Sequence, residues 1–193
     1  MIDRGIKRSL GQMMKGVEVV AARHAGVARA YTSHWVTQVS FEEPIVMASV
    51  SPKHDTYPLM MAAGEFSVSI LAGDQITEGQ YFSYPGRKFQ RVATEFLTDW
   101  PDDPVAPPIV PNSIAHLRCR ILSEQPMEDH RLVFARVEQV LEGRLREAPL
   151  LYSSRLGWRI ANDKAREPGV SIRDQLLARL GITDDDQSDD DGG

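Results

Sequence analysis

The sequence predicts a mainly β fold, a barrel or sandwich with short helical connections. Three observations lead to this prediction. About seven short apolar or alternating segments are separated by turn-forming residues, which is typical of strands. Two shorter stretches between them carry helix-start and helix-stop residues. The length of 193 residues fits one domain with frayed ends.

The first predicted strands lie between Val17 and Val50. They read VEVVAAR, GVARAYT, WVTQVSF and IVMASV, and turn residues at His24-Ala25-Gly26 and Glu42-Glu43-Pro44 interrupt the series. Short apolar or alternating runs bounded by Gly and Pro favour strands over helices. This part of the chain is therefore predicted to form consecutive strands.

A short helix is predicted after Pro52. Asp55 or Thr56 stands at the N-cap position, and Gly64 stands at the C-cap. The run from Glu65 to Leu71 alternates apolar residues with polar ones, which predicts a strand with one buried face. A second short helix is predicted from Asp74 to Phe82.

The second half opens with a loop-rich stretch from Tyr84 to Asn112, and long loops in compact domains tend to be functional or mobile. Strands are then predicted in SIAHLRCRIL, in HRLVFARVEQVL, and as one extended segment in PLLYSSRLGWRI. The alternation of Leu132, Phe134 and Val137 is imperfect. SIRDQLLARLG has a capping pair and a shared apolar face, so a C-terminal helix ending at Gly181 is predicted.

The charge distribution excludes several classes of protein. The net charge of the chain is −5, and the stretch TDDDQSDDDGG alone contains six aspartates. The rest of the chain is therefore near neutral. This tail, 183–193, lacks apolar residues and is predicted to be disordered. Lys and Arg are not clustered as nucleic-acid binding requires. No apolar run reaches membrane-spanning length, and the N-terminus does not resemble a signal peptide, so a cytoplasmic location without membrane attachment is predicted.

Motifs of several other chemistries are absent from the sequence. There is no Gly-rich dinucleotide fingerprint, no P-loop and no Gly-x-Ser-x-Gly elbow. The histidines are scattered without ligand spacing, so no metal site is predicted. The single cysteine, Cys119, lies in the alternating run Ala115–Ile121 and is predicted to be a buried strand thiol.

A polar stretch from Tyr31 to Thr56 stands out among the predicted strands. It comprises Trp35-Val36-Thr37-Gln38-Val39-Ser40-Phe41-Glu42-Glu43-Pro44, the apolar run Ile45 to Val50, and Ser51-Pro52-Lys53-His54-Asp55-Thr56. In this order the pieces resemble the core signature of the flavin reductase-like, FMN-binding split β-barrel family. Later passages are also similar to that family, namely Gly64 to Leu71, Glu128-Asp129-His130 before Val133 to Val137, and Pro149-Leu150-Leu151-Tyr152. The resemblance spans roughly residues 17 to 160.

The resemblance implies a site for FMN, and the residues suit that ligand. Lys53 supplies positive charge for the phosphate, and Thr56 stands at a helix N-terminus, which favours anions. Asp55 is assigned to capping that helix through its side chain. A strand from Ser33 to Thr37 is expected to follow the flavin ring, with His34 or Trp35 in stacking or edge contacts. The candidate cofactor-binding residues are Ser33, His34, Trp35, Val36, Thr37, Ser51, Lys53, His54, Thr56, Arg87 and Lys88.

Ordinary structural roles remain open for several of these residues. Lys53, Arg87 and Lys88 are equally compatible with solvated surface charges, and Trp35 with a core side chain. The sequence also departs from the family pattern at Glu128, where the family has Gly, and at His34-Trp35, which is bulkier than the usual pair and reshapes the space over the ring.

The resemblance further implies an NAD(P)H-dependent flavin reductase that passes electrons through FMN to a monooxygenase, ferric iron or another acceptor. The reductant is NADH or NADPH, and a homodimer completes the flavin sites. His130 is the catalytic candidate, in contact with flavin or nicotinamide and able to relay a proton. Two alternatives stay open: a non-catalytic flavin-binding electron carrier or sensor, and a split-barrel relative that binds pyridoxal phosphate or haem. The expected organisation is an extension (1–16), the flavin reductase-like domain (17–182) and the acidic tail.

Overall fold

A computed structural model describes residues 2–83 and 96–160 of the chain. Its helices are α1 (Arg4–Leu10), α2 (Thr56–Ala63) and α3 (Ile76–Tyr81). Its strands are β1 (Lys15–Gly16), β2 (Glu18–His24), β3 (Val27–Ser33), β4 (Val36–Gln38), β5 (Ile45–Val50), β6 (Glu65–Ile70), β7 (Ala115–Met127), β8 (His130–Glu142), β9 (Leu150–Ser153) and β10 (Gly157–Ile160). The predicted mainly β fold is confirmed. Over the two described ranges, no helix has the length and apolar character needed to cross a membrane.

The main sheet has seven antiparallel strands in the order β3-β2-β6-β7-β8-β5-β4, and it curls into a half-barrel. A second sheet has the order β1-β9-β10. The β2–β3 hairpin closes over Ala25 and Gly26, whose φ angles are 48° and 77°. Positive φ at both central residues matches the right-handed twist of the flanking strands, although Ala is unusual there.

The core lies inside the curl of the main sheet. Val20 of β2 is paired with Tyr31 of β3 and with Val68 of β6, so all three side chains are directed to the same face. Met60 of α2 packs against this face and is fully buried. Cys119 of β7 belongs to the same cluster, which confirms the predicted buried thiol.

The strand β6 is buried on both faces, so the prediction of a single buried face is wrong. Ser67 and Ser69, on the supposedly exposed side, are fully or almost fully buried. The Ser67 hydroxyl donates to the carbonyl of Pro108, and the Ser69 hydroxyl accepts from the backbone N–H of Val110 at 3.0 Å. The loop-rich stretch therefore covers this face, and the two hydroxyls hydrogen-bond to the backbone that covers them.

The imperfect pattern of β8 has a structural cause. Val133 and Ala135 are buried and Val137 packs beside them, whereas Leu132 and Phe134 lie on the other face and are only half-buried. The β7–β8 register shifts twice, which is characteristic of β-bulges. The buried face is therefore the set 133, 135 and 137, which the sequence pattern did not identify.

The ends of the described chain differ from the prediction. Residues assigned to an extension form α1, which was not predicted, and β1, which pairs with β9. The expected single segment PLLYSSRLGWRI is instead a hairpin of β9 and β10, with Gly157 at a φ of 71°. The predicted C-terminal helix, the acidic tail, Arg87 and Lys88 lie outside the described residues.

Candidate active site

A cleft forms where β3, β9 and the ends of β5 and β8 approach one another. Its volume is about 150 Å³. It is lined by Lys15, Tyr31, Thr32, Ser33, His34, Trp35, Ser49, His54, His130, Tyr152 and Ser154. Six of these side chains are aromatic rings or imidazoles. Five sequence-predicted site residues, Ser33, His34, Trp35, His54 and His130, are therefore brought together.

The floor of the cleft is shaped by a bend in the chain at His34 and Trp35. β3 ends at Ser33 and β4 begins only at Val36, so the expectation of one continuous strand from Ser33 to Thr37 is wrong. The Ser33 hydroxyl accepts from the backbone N–H of Trp35 at 3.1 Å, which stabilises the bend. Trp35 is left 50% exposed, so it is not a core side chain.

Val36 and Thr37 lie outside the cleft, in an adjoining groove. This groove has a volume of about 570 Å³ and also contains Leu10, Met13, Met14 and Met47. Lys15, His34, Trp35 and Ser49 line both cavities. The cleft alone is smaller than typical ligand pockets of roughly 300 to 1,000 Å³, but cleft and groove together fall in that range.

Ring contacts organise the walls of the cleft. Tyr31 stacks on His54 with centroids 4.8 Å apart, and His34 stacks on Tyr152 at 4.2 Å. Trp35 meets His130 edge to face at 5.1 Å. These contacts fix flat side chains on several sides of the cleft, an arrangement suited to a planar aromatic ligand.

Unpartnered polar atoms concentrate around this region. Within the described residues, the buried side-chain polar atoms without a hydrogen bond are Tyr31 Oη, His34 Nδ1 and Glu18 Oε2. Tyr31 and His34 line the cleft, and Glu18 lies nearby in a largely apolar pocket of about 400 Å³. Buried polar groups normally have partners, so the two cleft atoms are positioned to bond with a polar ligand edge or water.

Burial keeps two of the cleft imidazoles neutral. It lowers the pKa of His34, with the positive charge of Lys15 adding to the effect. It also lowers the pKa of His54, where His130 contributes in the same direction. A neutral imidazole presents one donor and one acceptor, so these rings can hydrogen-bond a ligand without adding positive charge at neutral pH.

His130 lies at the rim, at the start of β8. Its Nδ1 is 2.7 Å from Asp129 Oδ1, and this hydrogen bond lowers the pKa of Asp129. Glu128, in the same two-residue turn, has a φ of 49°. The left-handed conformation explains why glycine suits this position in the resembling family. The turn holds the imidazole at the mouth of the cleft.

The loop from Ser51 to Thr56 leads into α2. The Ser51 carbonyl accepts from His54 N at 3.0 Å, and Lys53 is exposed. Asp55 makes no side-chain capping bond, so its assigned capping role is wrong; its φ and ψ of −60° and −19° are already helical. Thr56 is 1% exposed, so its hydroxyl is buried. At this helix start the Tyr57 N–H donates to the His54 carbonyl at 3.1 Å and Pro58 has no N–H, so the Thr56 backbone N–H is the suitable donor for an anion.

Several cleft residues had no local sequence signal. Tyr31 opens the polar stretch and Tyr152 ends a passage similar to the family, but nothing in either passage marked these two tyrosines as site residues. Lys15 reaches the cleft because two-residue β1 pairs with β9, which places Lys15 opposite Tyr152. In 2–83 and 96–160, no group of three or more His, Cys, Asp or Glu side chains is arranged to hold a metal ion.

Comparison with known protein families gives a match over most of the chain. The family described as flavin reductase like domain matches residues 10–156. The reductase component of 4-hydroxyphenylacetate 3-monooxygenase from Thermus thermophilus is 33% identical over 154 residues, which cover 80% of this chain and 94% of that protein. An NADH-dependent flavin reductase from a Rhodococcus species is 27% identical, covering 70% of this chain and 74% of that protein.

A solved structure shows the same fold. The flavin reductase PheA2 in its native state superposes with a TM-score of 0.71 at 21% identity, covering 84% of this chain and all of that one. At this identity the similarity concerns the fold, and the curled sheet described above is therefore the fold of a known flavin reductase.

Proposed function

The chain belongs to the flavin reductase-like domain family and is a flavin oxidoreductase; on this premise we propose that it binds FMN in the cleft and groove and takes hydride from NADH or NADPH. The observation that carries this proposal is the cleft itself. Flat rings line it, and the buried Tyr31 hydroxyl and His34 Nδ1 lack partners there. The family match leaves no argument for the pyridoxal phosphate and haem alternatives.

The residues present fit the ring of a flavin. Tyr31, His34 and Trp35 offer flat surfaces, and the Ser49 backbone N–H already fixes Trp35 by donating to its carbonyl at 2.9 Å. Neutral His34 and the Tyr31 hydroxyl supply hydrogen bonds toward a heteroatom edge. The chemistry that bound flavin supplies is acceptance of a hydride and delivery of electrons, while the protein orients the ring and excludes water.

The phosphate is assigned to the loop that precedes α2. Lys53 contributes charge, and the Thr56 backbone N–H at the start of the eight-residue α2 contributes a donor. Because the Thr56 hydroxyl is buried, we assign Thr56 a role through its backbone. Arg87 and Lys88 remain proposed contributors that lie outside the described residues.

His130 is proposed to touch flavin or nicotinamide. Its Nδ1 is engaged by Asp129, which leaves Nε2 as the atom available to hold or move a proton. The bond to the Asp129 carboxylate orients the imidazole. This arrangement supports a proton-relay role at the rim.

A homodimer is proposed because exposed apolar side chains adjoin the groove. Among the residues that line it, Leu10 is 51% exposed, Met13 57% and Met14 46%. Grouped apolar exposure of this kind marks a surface that a partner covers. Light scattering of the purified chain tests the assignment: a mass of two chains is expected, and a monomer at micromolar concentration contradicts it.

The proposed electron acceptor is a monooxygenase component, as the name of the Thermus relative states for that protein. A cytoplasmic location remains a prediction. The central test is the visible spectrum of the protein with FMN, recorded without oxygen before and after NADH or NADPH is added. Flavin absorption that bleaches on addition is expected. Failure to bind FMN contradicts the site assignment, and binding without bleaching favours the non-catalytic carrier.

A further inference from the structure

A basic groove lies beside the cleft, on the other side of Ser154. It has a volume of about 440 Å³ and is lined by Arg4, Lys7, Arg8, Gly11, Ser154 and Arg155. Four of the six residues are cationic, and none is acidic. Ser154 also lines the cleft, so the two cavities are adjacent.

The groove is built from two elements that are held together. α1 supplies three cations, and the turn between β9 and β10 supplies Arg155. The backbone N–H of Arg155 donates to the carbonyl of Gly11 at 3.3 Å. A side chain at Gly11 would come within 3.7 Å of Ser154, so the helix end lies against the turn. The relative placement of the four cations is therefore fixed by backbone contacts.

Stability of the fold does not account for these charges. α1 buries no residue, and Arg4 and Arg8 form a like-charge i,i+4 pair, which disfavours a helix. Arg4 also stands in the first turn, where the helix dipole favours negative charge. The nearby Asp3 carboxylate is engaged as the N-cap, accepting from the backbone N–H of Gly5 at 2.8 Å.

The positive charge of the groove is also not neutralised by the described part of the chain. The ion pairs within residues 2–83 and 96–160 are formed by other arginines and by His130, and none includes any of the basic groove's four cations. Several converging cations without acidic partners favour an anionic ligand with more than one negative group. Arg is well suited to phosphate because its guanidinium donates two parallel hydrogen bonds.

We propose that the basic groove binds the phosphates of the adenosine half of a dinucleotide whose redox-active ring occupies the cleft. The inference rests on the proposed function for the position of that ring. The shared chemistry, an adenosine bearing two or more phosphate groups, occurs in NADH, NADPH and FAD. FMN lacks the adenosine half and does not extend into the basic groove.

Adenosine 5′-diphosphate and adenosine 2′,5′-bisphosphate are the probes for the test, titrated into the full-length chain by calorimetry. The variant Arg8→Ala/Arg155→Ala is compared with Arg29→Ala/Arg146→Ala, which removes the same charge from outside both cavities. The first variant is expected to bind the probes at least about tenfold more weakly, and the control as the parent does. Added salt should weaken binding to the parent and control more than binding to the first variant. Equal affinities in the two variants overturn the proposal.

The source of the adenosine phosphate follows from two further measurements on the same proteins. Loss of FAD affinity with FMN affinity held within about twofold assigns the groove to the flavin dinucleotide. A raised KM for NADPH or NADH during FMN reduction assigns it to the nicotinamide dinucleotide. An equal loss of FMN affinity overturns the adenosine assignment. The adenosine assignment is also overturned if the first variant binds nucleotides as the parent does but delivers electrons to an acceptor protein more slowly. That result indicates that an acidic protein surface occupies the basic groove.

Failure of the proposed function is recognised separately. If neither coenzyme bleaches bound FMN, the reductase proposal fails, whereas calorimetry with the adenosine phosphates still reports on the groove. Arg8, Arg146 and Arg155 are exposed and Arg29 is only partly buried, so both double variants should keep the parent's midpoint of thermal unfolding, and a loss of fold would be visible in that control.

Discussion

Replacing Glu18 with Gln should make the protein markedly more stable at alkaline pH. Glu18 lies at the start of β2, beside largely apolar side chains, and its Oε2 has no hydrogen-bond partner. Burial raises the pKa of Glu18 from an ordinary 4.5 to about 8, against a smaller opposing effect of its own backbone N–H. The folded protein therefore holds this proton at pH values where the unfolded chain has released it.

The pH window follows from these two pKa values. Below pH 4.5 the carboxyl is neutral in both states and imposes no penalty. As pH rises from there to about 8, the unfolded chain ionises first, so the folded state loses stability; above 8 the loss levels off. The full loss corresponds to roughly 5 kcal/mol, at about 1.4 kcal/mol for each tenfold change in proton affinity, and roughly 3 kcal/mol is lost by pH 7.

The assay is urea unfolding of the parent and of Glu18→Gln at pH 5, 7 and 9, with exposed Glu142→Gln as the control. The free energy of unfolding of Glu18→Gln should exceed that of the parent by a margin that grows with pH. Glu142→Gln should follow the parent at every pH. Parallel pH profiles for the parent and Glu18→Gln would refute the reasoning, because the Glu18 proton would then be equally bound in both states.

Four other substitutions test the site and the fold. Lys53→Ala should weaken FMN binding by about tenfold through loss of a charge-assisted contact, measured by quenching of flavin fluorescence, whereas Thr56→Val should leave affinity nearly unchanged because its hydroxyl is buried. Glu128→Gly should raise the free energy of unfolding by up to about 1 kcal/mol in urea titrations, since it relieves a positive φ; a loss of stability contradicts this. Gly143→Ala should lower it by about 1 to 3 kcal/mol, because the added Cβ would lie 2.2 Å from the Ser113 carbonyl oxygen; an unchanged midpoint of thermal unfolding would show that the backbone relaxes freely.

The helices and strands that the sequence predicted correctly are those whose start, end and apolar pattern are set by residues close together in the chain. β2 and β3 were predicted because their apolar runs flank a Gly-containing turn, and α2 because Gly64 ends it in the left-handed conformation, with a φ of 70°. α1 was not predicted, since its apolar residues face solvent and leave no buried stripe. The second buried face of β6 could not be inferred, because the backbone that covers Ser67 comes from some forty residues further along the chain.

The candidate site was also predictable only where its residues are neighbours in the sequence. Ser33, His34 and Trp35 lie consecutively in the polar stretch, so one passage of sequence indicated all three. Lys15 and Tyr152 reach the cleft through the pairing of β1 with β9, a contact between distant parts of the chain that no local pattern encodes. The open N-terminus of α2 also required coordinates, because Asp55 looks like a cap in the sequence.

The only cysteine of the chain has a chemical consequence for an enzyme that handles reduced flavin. Reduced flavins react with oxygen and generate peroxide, which attacks thiolates. Cys119 is fully shielded within the curled sheet, and burial raises the pKa of its thiol to about 12. The folded protein therefore presents no thiolate to its own by-product. The same shielding makes this thiol an internal reporter, since an alkylating reagent gains access to it only when the sheet opens.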